Sequence, residues 1–405
     1  SFNFPRYSRV IGPFFLLAAA CWLLREGWPW RVTLTGRDGR LLSNVSAPSV
    51  IDVAVIGLAF LVSLHAKQVH WQKMTGDGAT WRNLLSDPDI AAVARSVDSE
   101  PVRFATVAAY HALPPMALLA YDLEMADGYS PLYTRRYHEF WSEVIRPLRN
   151  IDPFIEGFHE WGSRIYLHHP QKPGEEECAV VPFARWYNLD LLSLANVGYL
   201  VSDKPVDDPR LQWLNQGWRE RRRAAWDALS RPQRLAGYFA GRNTGRARYI
   251  YRNPEALPRF FLCGEVQSLA HREELFHVLV TMSITELAHR VLVERDSNPG
   301  LADGPLGLST GTVRVLAYDT DYAKLEVETL GPAILMASYQ YYPHWTWQVN
   351  GHSVPAFPAD GTFVGLHLVA AGKFAIELAF KAPYRLFPPP QGPLRVVSLG
   401  RGKVD

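Results

Sequence analysis

The chain has 405 residues, of which 48% are hydrophobic, and a formal net charge of +2. This length accommodates two or three domains with a full core, and the near-neutral charge excludes the footprint of a nucleic-acid-binding protein and a polyacidic tail. Thirteen tryptophans and eighteen tyrosines are typical of aromatic-rich β-structure and of anchoring at a membrane interface.

Two apolar runs near the N-terminus predict membrane helices. Residues 10–24 carry no charge, and residues 49–64 carry only Asp52. Each run is slightly shorter than the ~20 residues that cross a bilayer, and flanking aromatic residues extend both. The alternative is a pair of buried or interfacial helices. The chain begins at Ser1 without a Met, which we interpret as truncation of a longer protein.

The loop between the two runs sets the predicted orientation. It holds four arginines against two acidic residues, so the positive-inside rule places it in the cytoplasm. Everything after about residue 66 then faces the periplasm or the cell exterior. We therefore predict a membrane protein, with the bilayer as its first partner and most of the chain on the extracytoplasmic side.

The residues after the apolar runs predict a mixed α/β domain, because strand and helix patterns alternate. The charged segment 210–235 predicts a solvated helix, with binding of a phosphate or an anionic lipid head group as the alternative. Strand patterns lie at 102–107, 198–201, 247–252 and 260–266, and helical patterns at 131–155, 190–195 and 273–279.

From about residue 312 onward the pattern is all β, which predicts a C-terminal antiparallel β-sandwich. Asn350-Gly351 is the signature of a two-residue hairpin turn, and the run Pro388-Pro389-Pro390 ends the β pattern because proline cannot donate to a ladder. The predicted fold is α+β. It comprises a membrane anchor of two helices (1–70), a mixed α/β extrinsic domain (71–300), the β-sandwich (301–390) and an extended tail (391–405).

Recognisable cofactor motifs are missing from the sequence. There is no G-x-S-x-G elbow, no Walker A motif, and no G-x-G-x-x-G that leads from a strand into a helix. The spacing of Cys21, Cys178 and Cys263 fits no metal motif, and both a Cys178–Cys263 bridge and three free thiols are compatible with it. We therefore predict no cofactor, no metal and no catalytic residue.

Acidic residues cluster beside Gly128. Asp122, Glu124 and Asp127 form a trio that suits cation binding or acid–base chemistry on a sugar. The alternative is a loop whose aspartates cap turns and pair with Arg135 and Arg136. We take Asp122, Asp127, Arg135 and Arg136 as candidate binding residues.

A row of aromatic residues precedes the Asn-Gly turn. Tyr339, Tyr341, Tyr342, Trp345 and Trp347 form either an exposed strip that stacks on sugar rings or a protein partner, or part of the core of the sandwich. We take Tyr339, Tyr342, Trp345 and Trp347 as further candidate binding residues.

Four blocks of the chain carry a resemblance to a known family. They read LLAYDLEMADGYSPLYTRRY (118–137), LDLLSLANVGYLVS (189–202), YRNPEALPRFF (251–261) and YYPHWTWQVNG (341–351). In the same order, they resemble "YGLRDVRGYDPLYPRRY", "LDLLNVRYVLS", "YENPxALPRAF" and "YYPGW…VDG". These motifs belong to the extracytoplasmic tail of bacterial multi-spanning membrane glycosyltransferases of the YfhO type, with a GT-C-like membrane half.

The chain departs from that family in ways that limit the inference. His344 stands where the family has Gly, Asn350 where it often has Asp, and Phe374 where it has His. Family members carry about a dozen membrane helices, with catalytic carboxylates in the first extracytoplasmic loop, whereas this chain has at most two. The resemblance therefore implies the fold of the tail and carries over no catalytic residue.

Two functions follow from the resemblance. The first is a non-catalytic, membrane-anchored periplasmic scaffold or accessory subunit, bound to other subunits of an envelope, respiratory or photosynthetic reaction-centre and antenna assembly. The second is the C-terminal part of a membrane glycosyltransferase, which binds the acceptor glycan or a lipid-linked sugar. We favour the first, leave enzymatic activity open, and predict no nucleic-acid partner.

Overall fold

The computed structural model describes residues 30–35, 41–47, 85, 87–97, 101–108, 113, 115–129, 133–160, 164–168, 179–239, 248–297, 300–306 and 311–381. Both predicted membrane runs, Cys21, Cys178 and the proline run lie outside the described residues. Within the described part of the chain, no helix combines the length and the apolar character that crossing a membrane requires.

The α-helices of the described residues are short. They are α1 Pro88–Ser96, α2 Arg135–Val144, α3 Arg146–Arg149, α4 Pro153–Glu160, α5 Phe183–Trp186, α6 Leu189–Leu194, α7 Gln216–Asp227, α8 Arg231–Phe239, α9 Arg272–Leu279 and α10 Ile284–His289. Two 3-10 helices cover Pro115–Tyr121 and Arg295–Ser297.

The strands are, in chain order, β1 Trp30–Thr35, β2 Leu41–Ala47, β3 Arg103–Ala108, β4 Glu124–Met125, β5 Gly128–Tyr129, β6 Arg164–Ile165, β7 Leu167–His168, β8 Val197–Ser202, β9 Gln212–Trp213, β10 Tyr249–Arg252 and β11 Phe260–Cys263. They continue with β12 Glu265–Leu269, β13 Arg290–Glu294, β14 Gly304–Pro305, β15 Gly311–Asp319, β16 Tyr322–Thr329, β17 Ala333–Ala337, β18 Trp345–Val349, β19 His352–Val354, β20 Phe357–Ala359, β21 Phe363–Leu368 and β22 Gly372–Phe380.

The predicted helical segment 131–155 is three helices rather than one. Pro147 lies in the first turn of α3 and Pro153 opens α4. A proline is tolerated in the first turn of a helix but breaks a helix in its interior. The apolar spacing was read correctly, and the two prolines divide the segment.

The first of the larger sheets has the order β4-β3-β8-β10-β9, with β7 also paired to β3. Strands β3 and β8 are parallel and buried along their whole length. Helix α6 leads into β8, and Asn188 caps its start by accepting from Leu191 N at 3.1 Å. Strands buried on both faces are typical of a parallel pair covered by helices, and the mixture of helices and strands is as predicted for this part.

Two further sheets form what we call the C-terminal sheet pair. One has the order β11-β17-β21-β20-β13-β12-β14, and the other β15-β16-β22-β18-β19. Apolar residues of both sheets share one core, including Leu335 and Leu366 of the first and Leu325 and Leu378 of the second. The mixed α and β content is as predicted, and this arrangement is compatible with a β-sandwich. Strands on both sides of residue 300 belong to the seven-stranded sheet.

The predicted Asn-Gly turn joins β18 to β19. Asn350 has φ 52° and Gly351 has φ 81°, and two successive positive φ angles define the type I′ turn that suits a hairpin. The Asn350 carboxamide also accepts from Ala375 N at 2.8 Å. The prediction of a hairpin turn here is confirmed.

The second and third sequence blocks pack against each other. Asn253 donates from Nδ2 to Ser193 Oγ at 2.9 Å and to Val197 O at 3.0 Å. Asn196, with φ 63°, donates from Nδ2 to Leu257 O at 2.9 Å. The asparagine after β10 therefore joins that strand to the α6–β8 turn.

We expect the Asn253→Ala variant to lose about 1–3 kcal/mol of unfolding free energy, because it leaves buried polar groups without their donor. Urea unfolding followed by circular dichroism measures this loss. Asn150→Ala is the matched control, since Asn150 is exposed at the end of α3, and it is expected to change the free energy by less than about 0.5 kcal/mol. Equal effects of the two substitutions would contradict the bridging role of Asn253.

One apolar core connects the α/β part with the C-terminal sheet pair. It runs from Ala105 in β3 through Phe140 and Trp141 of α2 to Phe363 of β21. The rings of Phe140 and Phe363 meet edge to face with centroids 5.0 Å apart, a favoured aromatic geometry. The two parts are therefore packed as one body.

Candidate functional site

The acidic trio divides into residues with different surroundings. Asp122 is exposed in a turn at φ 60°. Asp127 is buried, and its Oδ2 accepts from Thr106 N at 3.0 Å and from Thr106 Oγ1 at 2.6 Å. Burial raises the pKa of Asp127 to about 7, although both Thr106 hydrogen bonds oppose the rise. Asp127 therefore holds the loop onto β3.

The predicted partners of the aspartates lie elsewhere. Arg135 is exposed and donates to Glu139 at 2.7 Å. Arg136 forms a two-point pair with Glu294 and donates to Gly361 O at 3.1 Å. The alternative in which Arg135 and Arg136 pair with Asp122 and Asp127 is therefore wrong. Arg136 instead ties α2 to β13 and the turn before β21.

Glu124, which is half-buried, is the centre of an ionic cluster with two buried arginines that joins the α/β part to the C-terminal sheet pair. Its carboxylate pairs with Arg259, which is 1% exposed, and accepts from Arg103 Nε at 3.0 Å. Arg103 Nη1 donates to Ser338 O at 2.6 Å, and Arg259 Nη1 donates to the same oxygen at 3.3 Å. We call Arg103, Glu124 and Arg259, with this carbonyl, the joint cluster.

Charge pairing outweighs desolvation in the joint cluster. Burial alone raises the pKa of Glu124, but the guanidinium groups of Arg259 and Arg103, with a hydrogen bond from the Tyr318 hydroxyl, lower it to about 2. Glu124 is therefore a carboxylate at neutral pH. Tyr318 also accepts from Arg259 Nη2 at 2.8 Å, which adds strand β15 to the cluster.

Two arginines in apolar surroundings are the sequence signal for this cluster. Arg103 lies inside the strand pattern between Val102 and Phe104, and Arg259 stands between Pro258 and Phe260. Arginines are almost never fully buried unless they are paired. An arginine inside an apolar strand therefore predicts a buried acidic partner, although not which one.

The four aromatic candidates separate into two groups. Tyr339 and Trp347 are buried, with the Tyr339 ring facing Arg259 at 5.1 Å and next to Trp345 at 4.6 Å. Trp345 is half-buried, and Tyr342 is 37% exposed. One pair therefore lies in the core and the other reaches the surface.

The exposed pair lines a concave site that we call the aromatic groove. It has a volume of about 400 Å³, within the range of small-ligand and peptide sites. Trp347 also lines the groove but is only 2% exposed, and its buried Nε1 has no hydrogen-bond acceptor among the described residues. The groove lining includes Tyr341, Tyr342, Trp345, Trp347, Ser353 and Pro355.

Among the described residues one trio of potential metal ligands comes together. His138, His159 and Glu160 have ligand atoms within 4.8 Å of one another. The two imidazole rings stack face to face at 4.1 Å and 12°, so their in-plane lone pairs run side by side and do not converge on one ion. His159 Nε2 also lies 2.8 Å from Ser142 Oγ. This stack suits packing better than metal coordination.

One of the two stacked histidines has a shifted pKa. Burial, with the neighbouring charges of His138 and Arg149, lowers the pKa of His159 to about 3, so His159 is neutral in the physiological range. His168 is buried in β7 against Phe158, and His169 lies outside the described residues. Cys263 is a free, buried thiol, and burial raises its pKa.

Comparisons with known proteins return no relatives. A scan against protein-family models, a search of the curated proteins and a search of the solved structures find no match to this chain.

Proposed function

We propose that the protein is a non-catalytic scaffold, an accessory subunit that holds other proteins in a fixed arrangement within a larger membrane assembly. The observation that supports this most is the joint cluster, because Arg103, Glu124 and Arg259 fix the α/β part against the C-terminal sheet pair. Two parts fixed against each other keep their binding surfaces at one distance and angle, which is what a scaffold requires.

The contacts of the acidic trio are in line with this proposal. Glu124 is engaged by two arginines, and Asp127 by Thr106. The proposed location is the extracytoplasmic face of a bacterial inner membrane, with residues 10–24 and 49–64 as the anchor and the C-terminal sheet pair as a β-sandwich. The bilayer and the subunits of an envelope, respiratory or photosynthetic assembly are the proposed partners.

Affinity purification of the tagged chain from its native membranes in a mild detergent tests the proposal. We expect a small, stoichiometric set of co-purifying proteins, with chemical cross-links to both the α/β part and the C-terminal sheet pair. Recovery of the chain only as a free monomer, in detergents that preserve other complexes, would contradict the scaffold function.

The aromatic groove favours a second candidate function. A concave site with Tyr342 and Trp345 at its surface is suited to stacking on sugar rings. In that case the chain is the C-terminal, glycan- or acceptor-binding part of a GT-C-type membrane glycosyltransferase. Co-purification of a polypeptide with about ten membrane helices, together with retention of the chain on an oligosaccharide column, would favour this candidate.

A further inference from the structure

Helices α7 and α8 form a basic segment in a chain that is otherwise close to neutral. Residues 216–239 carry six arginines against two acidic residues, so their formal charge exceeds the +2 of the whole chain. Arg234 of α8 donates from Nε to Leu229 O and from Nη2 to Asp227 O, each at 3.0 Å, and so joins α8 to the end of α7. We call α7 and α8 the basic helix pair.

The basic helix pair is fixed to the body of the protein through its first turn. Asn215, buried directly before α7, donates from Nδ2 to Asp89 Oδ2 at 3.0 Å and to Arg248 O at 2.8 Å. The Oδ1 atom of Asn215 accepts from Ile250 N at 3.0 Å. Trp226, near the other end of α7, is also buried. Both ends of α7 are therefore held in place, and its exposed face has a fixed direction.

The exposed face of α7 combines apolar surface with unpaired positive charge. Trp218 is 47% exposed, and Leu214, just before the helix, is 40% exposed. Arg221 is exposed and follows Trp218 by three residues, which places both on one side of the helix. Arg231, which opens α8, is exposed as well. Neither Arg221 nor Arg231 has an acidic partner among the described residues. We call these four residues, with the exposed Ala225, the outward face.

We propose that the outward face binds an anionic lipid surface. This inference rests on the membrane location in the proposed function and names the face that meets the bilayer. Helices that lie on a membrane combine arginine or lysine with exposed tryptophan or leucine, because anionic head groups attract the charge while the apolar side chains enter the interface. Tryptophan suits that interface because its ring is apolar and its N–H is polar.

Free phosphate and nucleic acid match the outward face less well. A free phosphate leaves the apolar surface of Trp218 and Leu214 in water, whereas a lipid surface covers it. A nucleic acid is bound along a continuous basic track, but outside residues 216–239 acidic residues outnumber basic ones. An anionic lipid surface therefore makes use of both the charge and the apolar side chains.

The test places a fluorescent reporter on the outward face of the whole chain. Ala225→Cys, in a chain that also carries Cys21→Ser and Cys178→Ser, is labelled with an environment-sensitive fluorophore, while the buried Cys263 stays unlabelled. The chain is reconstituted in nanodiscs of phosphatidylcholine, with or without phosphatidylglycerol. We expect the emission to shift to shorter wavelength only in discs that contain phosphatidylglycerol. About 1 M salt is expected to reverse the shift, because it shortens the screening length to about 3 Å.

Reversal of charge on the outward face is expected to weaken this response. Arg221→Glu is expected to lower the apparent affinity for phosphatidylglycerol by roughly fivefold or more, since one arginine near an anionic surface contributes about that factor. Addition of Arg231→Glu is expected to abolish the shift. Arg314→Glu is the matched control, because it makes the same charge change at a 70% exposed side chain on β15, and it is expected to leave the response unchanged. Urea unfolding verifies that each variant is folded.

The remaining outcomes also decide the matter. If the chain stays in the discs but its emission is the same in both lipid compositions, this inference is wrong and the membrane location stands. If the chain leaves discs of both compositions, this inference and the membrane location both fail. An equal shift on adding inorganic phosphate or a DNA duplex to phosphatidylcholine discs would overturn the lipid surface as the ligand. Folded charge-reversal variants that respond as the wild type does would exclude the outward face. Co-purification of subunits from membranes tests the scaffold function separately.

Discussion

The Glu124→Gln variant is expected to lose about 3–5 kcal/mol of unfolding free energy. This is the typical cost of removing one partner of a buried ion pair, because the other charge stays buried without compensation. Glutamine keeps the shape and one acceptor oxygen, but it leaves the guanidinium groups of Arg259 and Arg103 without a counterion. Since the unfolding free energy of a domain is only about 5–15 kcal/mol, this loss is a large share of the total stability.

Glu326→Gln is the matched control for that change. Glu326 pairs with Arg314 at 2.8 Å on the solvent side of β15 and β16, where the side chains are 50% and 70% exposed. Exposed pairs contribute about 0–1 kcal/mol, so the control is expected to unfold nearly as the wild type does. Urea unfolding at pH 7, followed by tryptophan fluorescence, measures both variants. A loss below about 1 kcal/mol for Glu124→Gln would show that the joint cluster does not fix the two parts together.

The pH dependence of the stability that the joint cluster contributes follows from the sign of the Glu124 pKa shift. The folded-state pKa of Glu124, about 2, lies below the ordinary value of 4.5. Its stabilising contribution is therefore complete above pH 4.5 and is lost as the pH falls through 2. At neutral pH the cluster is fully charged, and acid weakens the connection between the two parts.

Local structure was the part of the fold that the sequence predicted well. The Asn350-Gly351 turn, helix α6 and strand β8 follow from signals within a few residues, such as the positive φ that an Asn-Gly turn requires. Helix boundaries were less accurate. The segment 131–155 kept its apolar spacing across Pro147 and Pro153, so the periodicity alone did not reveal the breaks.

The sequence does not predict which residues, far apart in the chain, form ion pairs with each other. Glu124 was grouped with Asp122 and Asp127 because they are neighbours in the chain, yet its partners come from β3 and from the residue before β11. Which arginine meets which carboxylate depends on how the sheets stack, and no local pattern encodes that stacking. The same reason explains why Arg136 was assigned to the wrong acid.

The aromatic row shows the same division between what a pattern predicts and what packing decides. Alternation placed Trp345 and Trp347 on one face of a strand, as the structure has them. It did not reveal that the Tyr339 ring, just after β17, would pack 5.9 Å from the ring of Phe260 on the neighbouring strand β11, or that Tyr342 would stay exposed. Exposure depends on the second sheet, so one strand's sequence does not determine it.

Because of Asp127, the free energy of unfolding is expected to decrease as the pH rises from acid to neutral. Its folded-state pKa is about 7, against an ordinary 3.8, so the folded state holds the proton more tightly than the unfolded state. The contribution of Asp127 to stability is then complete below about pH 4, decreases as the pH rises, and reaches its lower level above 7. At 1.36 kcal/mol per pKa unit, the decrease is on the order of 4 kcal/mol. Asp360, also buried and with a pKa raised to about 7 by burial, adds a decrease in the same range.

The Asp127→Asn variant removes the Asp127 part of that decrease. Asparagine still accepts from Thr106 N and Oγ1, but it puts an NH₂ group in place of Asp127 Oδ1, which has no partner among the described residues. We therefore expect the variant to be less stable than the wild type by about 1 kcal/mol at pH 4.5, and more stable by about 2–3 kcal/mol at pH 8.5. The two curves of unfolding free energy against pH are expected to cross between these values.

Urea unfolding across this pH range measures the crossing, and Asp122→Asn is the matched control. Asp122 is exposed and has φ 60°, a conformation that asparagine adopts as readily as aspartate. Its curve is therefore expected to follow that of the wild type at every pH. If the Asp127→Asn curve also runs parallel to the wild type, burial does not raise the Asp127 pKa, and the fall in stability between pH 4 and 7 belongs to other groups. A crossing limited to Asp127→Asn would locate a neutral-pH titration at the contact between the acidic loop and β3.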